Sequence, residues 1–133
     1  MPVELKVSEY LVSVAEMQEF FRDVSRLLSD EARERLINFV ALNPSAGDLI
    51  SGTGGLRKLR WGRDGKGKRG GVRVVYYFRD LNMPLYMIAI YGKGEKSNLT
   101  AAERRDMKQL VDELVHEHRQ RAQRSTLAKL KPA

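Results

Sequence analysis

Two β-rich runs joined by a short link limit the fold of this chain more than any other feature. The runs, about Gly71 to Asp80 and about Leu85 to Tyr91, are dense in Val, Ile, Tyr and Phe. Such residues suit a pleated, half-buried surface. The link Asp80-Leu81-Asn82-Met83-Pro84 is short enough to return the chain as a hairpin. A third run, about Leu56 to Trp61, precedes them, and together they predict a twisted antiparallel sheet.

Helices flank this sheet in sequence. Tyr10, Val12 and Val14 alternate with polar or smaller residues, so a first strand is expected within Leu5 to Val14. Val14, Met17, Phe20, Phe21, Val24, Leu27 and Leu28 then recur at three- and four-residue spacing, the stripe of a helix ending near Ser29. Ser29 is an N-cap for a second helix, with Asp30 and Glu31 at its positive end and Asn43-Pro44 as its stop. Asn43 to Gly55 reads as a turn-rich link. Thr100 and Glu103 form a capping box ahead of Met107, Leu110, Val111, Leu114 and Val115, which predicts a C-terminal helix. After about residue 119 the chain is basic with few apolar side chains, and a frayed tail is expected. The fold class is α+β, two N-terminal helices on an antiparallel sheet with a C-terminal helix, in one domain over residues 1–133.

Composition narrows the function. An apolar share of 42% and a charged share of 31% belong to an ordinary globular protein. There is no cysteine, hence no disulfide framework and no thiolate metal site. No apolar run of membrane-spanning length occurs, and Met1 to Lys6 has no basic segment followed by an apolar one, so neither export nor a membrane is expected. The formal charge of +7 is unevenly placed: −4 over residues 1–50, +8 over 51–99 and +3 over 100–133. A concentrated positive field favours a polyanion, most often nucleic acid.

The density peaks between Arg57 and Arg73, where Arg57, Lys58, Arg60, Arg63, Lys66, Lys68, Arg69 and Arg73 meet one acid, Asp64. Alternate strand residues share a face, so Lys58 and Arg60 lie together, opposite Leu59 and Trp61. Arg73 alternates with Val72 and Val74, and Tyr76 is expected beside it, a pairing that suits a phosphate backbone with stacked bases. Gly65 to Gly70 satisfies G-x-G-x-x-G but precedes a strand rather than opening a helix, which removes a dinucleotide reading. His116 and His118, two apart on a helix, point in different directions and suggest no metal.

The residues Gly47-Asp48-Leu49-Ile50, Gly52 to Trp61, Gly65 to Tyr77 and Tyr91 to Thr100 resemble the HigB branch of the RelE/ParE toxin superfamily. The resemblance spans roughly residues 10 to 115. It implies a RelE-like microbial RNase fold, with the helices on one face of the sheet and a Lys/Arg-rich groove on the other. It implies a type II toxin that cuts messenger RNA on the ribosome in the cytoplasm, with no metal or other cofactor, neutralised by a HigA-like helix-turn-helix antitoxin. Carried over by position, Arg73 stands at the family's strand arginine, Lys58 and Arg60 at the basic positions of the preceding strand, and Lys93 or Lys96 near the end of the last strand. Relatives keep an arginine and then a tyrosine there, where this chain has Gly94 and Thr100. The implied catalytic set is Lys58, Arg60, Arg73, Lys93 and Lys96, with Lys58 as the base. RNA contacts fall to Arg57, Arg63, Lys66, Lys68, Arg69, Tyr76 and Tyr91. A ParE-like gyrase inhibitor and a non-catalytic nucleic-acid binder are the alternatives.

Overall fold

The computed structural model describes residues 12–63, 67–95 and 98–130. Its elements are β1 (Val14–Glu16), α1 (Gln18–Leu27), α2 (Asp30–Leu42), β2 (Asp48–Leu49), β3 (Leu56–Arg63), β4 (Gly67–Tyr77), β5 (Leu85–Gly92) and α3 (Ala101–Leu130). The strands form one sheet in the order β1-β5-β4-β3-β2. The fold is α+β, as the sequence pattern requires. The sheet is mixed, however, because β1 runs parallel to β5 while the other pairs are antiparallel.

Helical periodicity would start the first helix at Val14, but the edge of β5 claims that segment. Val14 pairs with Leu85 and Glu16 with Met87. The Leu85 N–H donates to the Ser13 carbonyl at 2.8 Å and the Met17 N–H to the Met87 carbonyl at 2.9 Å. A helix over the same residues would leave the β5 edge unsatisfied. The strand expected within Leu5 to Val14 lies mostly outside the described residues. Helix α1 buries Phe20, Val24 and Leu27, one face at helical spacing. Helix α2 starts where Ser29 Oγ accepts from the Ala32 N–H at 3.1 Å, and it stops at Asn43, whose N–H returns to the Phe39 carbonyl. Arg33 on α2 donates from Nε and Nη2 to the two carboxylate oxygens of Glu16 of β1, a partly buried pair that ties the hairpin of helices to the sheet edge.

The two sheet faces carry separate cores. Val72, Val74 and Tyr76 of β4 pack with Leu85, Met87 and Ile90 against Phe20, Val24, Leu36 and Val40 of α1 and α2. Val75 and Tyr77 point the other way, joining Leu56, Ile88 and Tyr91 under Met107, Val111 and Leu114 of α3. A bulge in β5 shifts the register, since Val75 faces Ala89 while Tyr76 faces Met87. The extra residue turns Tyr91 onto the α3 face, while Met87 and Ile90 both keep the opposite one.

Helix α3 opens with the expected capping box: the Thr100 N–H donates to Glu103 Oε1 at 2.9 Å and the Glu103 N–H to Thr100 Oγ1 at 3.1 Å. It then continues to Leu130, so helix extends through the basic segment after residue 119. Strong helix formers such as Ala122, Leu127 and Ala128 carry it on, although every side chain from Arg119 to Leu130 is exposed. The division within α3 makes a paired test by chemical denaturation. Leu114→Ala should cost about 2–5 kcal/mol, as for a core truncation, and Leu127→Ala should stay within about 0.5 kcal/mol of wild type.

Candidate active site

Sheet register builds the site. Lys58 and Arg60 share the α3 face of β3, Arg60 sits directly opposite Arg73 on β4, and Arg73 sits opposite Tyr91 on β5. Directly opposed side chains have Cβ atoms about 4.5–5.5 Å apart, and like charges so placed destabilise a sheet. Arg60 is exposed, but Arg73 is only 8% exposed. Its Nη1 is buried with no hydrogen-bond partner among the described residues. A buried guanidinium nitrogen without an acceptor is costly. An oxyanion between the two arginines would relieve both costs.

These side chains open on a groove of about 650 Å³ whose walls include Asp48, Lys58, Arg60, Arg73, Lys93 and Asn98. Lys58 Nζ donates to Asn98 Oδ1 at 3.0 Å, tying β3 to the link before α3. Lys93 follows β5, its N–H directed to the Gly71 carbonyl at 3.3 Å. Beside the groove the same sheet face is apolar, where α3 covers Leu56, Val75, Tyr77 and Tyr91.

The wall at Asp48 is held from the opposite side of the sheet. Tyr76 Oη accepts from the Gly47 N–H at 2.8 Å and donates to the Pro44 carbonyl at 2.9 Å. Arg57 Nη1 donates to the Gly47 carbonyl at 2.7 Å and to the Ser45 carbonyl at 3.1 Å. A Cβ at position 47 would lie 2.9 Å from the Tyr76 ring, so glycine is required by space. Burial pushes the Tyr76 phenol above its ordinary pKa, with the Gly47 N–H opposing. Burial likewise pushes Tyr91 up, partly offset by the charge of Arg73.

Several expected RNA contacts are thereby reassigned. Tyr76 is three residues from Arg73 on one strand and faces the helical hairpin, fully buried, so it braces the 44–47 turn and cannot stack on a base. Arg57 also lies on that face, and its guanidinium is engaged by backbone carbonyls. Tyr91 does share the face of Arg73, but it is 3% exposed within the core under α3 and offers no ring face. Lys66 and Lys96 lie outside the described residues. Arg63, Lys68 and Arg69 belong to β3 and β4 by backbone alone. Lys58, Arg60, Arg73 and Lys93 do come together. Asp48 and Asn98 were absent from the expected set; the one available signal is that Asp48 is the sole acid between Glu34 and Asp64, just ahead of the basic run.

A small α+β protein with a cation-lined groove on one sheet face is thus defined by geometry. The model of the family described as RelE toxin of the RelE/RelB toxin-antitoxin system matches residues 18–131. The chain belongs to the RelE toxin family, and membership implies an antitoxin as partner. Among solved structures it is similar to a mutant of the Escherichia coli toxin RelE in the free state, with a TM-score of 0.48 and 18% identity over 65% of this chain and 87% of that one. No helix among the described residues is long and apolar enough to cross a membrane.

Two outcomes test this geometry. Tyr76→Phe leaves the buried Gly47 N–H without its acceptor and should cost about 1–3 kcal/mol in denaturant unfolding. Because Tyr76, Tyr77 and Tyr91 all keep their protons more tightly when folded, the unfolded chain releases protons first as pH rises. Stability should be full below about pH 10, the unfolded tyrosine value, and fall above it through the folded values, less steeply in Tyr91→Phe, as read by melting temperature against pH.

Proposed function

We propose that this toxin is a ribosome-dependent, metal-independent endoribonuclease of the HigB branch, acting on messenger RNA in the cytoplasm and neutralised by a HigA-like helix-turn-helix antitoxin. The observation that carries the reading is Arg73, a nearly buried guanidinium with Nη1 unpartnered among the described residues, opposite Arg60 and opening on the groove. Generic nucleic-acid binding needs exposed cations; it gives no reason to sink one into the sheet beside a second.

Cleavage then follows from the phosphate's position. A ribose 2′-oxygen attacks the adjacent phosphorus, the bond to the 5′-oxygen of the next nucleotide breaks, and a 2′,3′-cyclic phosphate and a 5′-hydroxyl result. Negative charge grows on the non-bridging oxygens in the transition state. The guanidinium groups of Arg60 and Arg73 offer paired donors, so they stabilise that charge more than the ground state. Lys58, fixed by Asn98, adds a third cation, and Lys93, which lines the groove, is the proposed donor to the leaving oxygen. The groove is open on one side, and the ribosome supplies the orientation of the message, which can be a large part of a barrier.

The test is primer extension on a defined message in a reconstituted translation reaction, with a ribosome-free control. Wild type should give cuts only with translating ribosomes, and Arg73→Ala should cut about 100- to 1,000-fold more slowly, the usual loss for one oxyanion donor. Absence of cuts in every lane would overturn the reading in favour of a gyrase-directed toxin or a protein that binds RNA without cleaving it.

A further inference from the structure

We infer that Asp48 is the catalytic base of this site, the group that takes the proton from the ribose 2′-hydroxyl. The inference rests on the endoribonuclease reading and names the one participant it lacks. Among the described side chains on the groove walls, Asp48 alone carries a carboxylate. The carboxylates nearest by sequence to the groove's other wall are engaged: Glu95 holds Arg26 at 2.6 Å, and Glu103 accepts from the Thr100 N–H. The carboxylate of Asp48 is exposed and makes no hydrogen bond or ion pair among the described residues.

The remaining groups are poor acceptors. Arginine is protonated at any working pH. Lys58 donates from Nζ to Asn98 Oδ1, so that nitrogen is already engaged in a hydrogen bond. Asn98 is an amide with no basic nitrogen. Burial makes Tyr91 hold its proton more firmly. A carboxylate among cations also weakens their hold on phosphate, so it brings a cost to binding that a catalytic task accounts for.

Placement agrees. Asp48 pairs directly with Lys58 across β2 and β3 and therefore shares the face of Lys58 and Arg60. Diagonal neighbours in such a ladder, here Asp48 and Arg60, lie about 7–8 Å apart, a separation that one ribose and its 3′-phosphate bridge. The residue before Asp48 is clamped by Tyr76 and Arg57, so the carboxylate is presented from a fixed backbone. In the step, the 2′-hydroxyl proton passes to the Asp48 carboxylate as the O2′–P bond forms. The P–O5′ bond breaks, and the leaving oxygen takes its proton from the cationic side of the groove. Asp48 afterwards returns its proton to water.

Asp48→Asn keeps size and hydrogen-bonding shape but removes the basic oxygen. In single-turnover cleavage on translating ribosomes it should slow the reaction by about 100-fold or more, with Asp48→Glu recovering part of the loss. Affinity for ribosomes carrying a message with a 2′-deoxy scissile nucleotide should be unchanged or tighter. On a message whose leaving 5′-oxygen is replaced by sulfur, which departs without protonation, Asp48→Asn should remain slow. Cleavage by Asp48→Asn at the wild-type rate, a loss matched by lost affinity, or recovery on the sulfur-leaving message would each overturn the assignment while leaving an active wild type and the endoribonuclease reading intact. A wild type that cuts nothing overturns that reading, and this inference with it.

Discussion

Everything at the groove depends on the register between β3 and β4, which sets Arg60 directly against Arg73. The pairing is electrostatically unfavourable and structurally unavoidable, because a slip by one residue would send Leu59 and Trp61 out of the core and Lys58 and Arg60 into it. Apolar burial on the helical face therefore forces two cations together on the other. Folding energy is converted in this way into a site that attracts an anion.

The second dependence is between the two faces. Tyr76 and Arg57 belong by position to the structural side of the sheet, yet their hydrogen bonds hold the 44–47 turn from which Asp48 enters the groove. The β5 bulge does comparable service for Tyr91, rotating it under α3 beside Arg73. Core and groove are thus not independent compartments. A substitution on the helical face can alter the groove without touching it.

Much of this was legible in the sequence, and the failures have definite physical causes. Apolar spacing located α1, α2 and α3, capping chemistry located the starts of α2 and α3, and alternation grouped Lys58 with Arg60. Alternation cannot report strand direction, so β1 emerged as a parallel edge rather than a helical turn. It also fails across a bulge, which hid the neighbours of Tyr91. Tyr76 lies on the face of Val72 and Val74, because its odd separation from Arg73 along β4 sets the two on opposite faces. Asp48 escaped because a two-residue strand has no period to detect. Its neighbours are turn formers, and its role follows from contacts made twenty-nine residues away, between Gly47 and Tyr76.

Helix α3 has a thermodynamic character of its own. Its first turns are nucleated by the sheet through Met107, Val111 and Leu114, and the turns from Arg119 to Leu130, with every side chain exposed, grow from that seed without a second nucleation step. Such turns melt residue by residue from the free end. Trp61, the single tryptophan, packs on Phe39 with ring centroids 5.2 Å apart and senses only the cooperative loss of the core. Far-ultraviolet ellipticity sums both processes. The two signals will therefore trace different thermal curves for a molecule whose core unfolds in one step, and the disparity between them measures how much of the helix stands outside the cooperative unit.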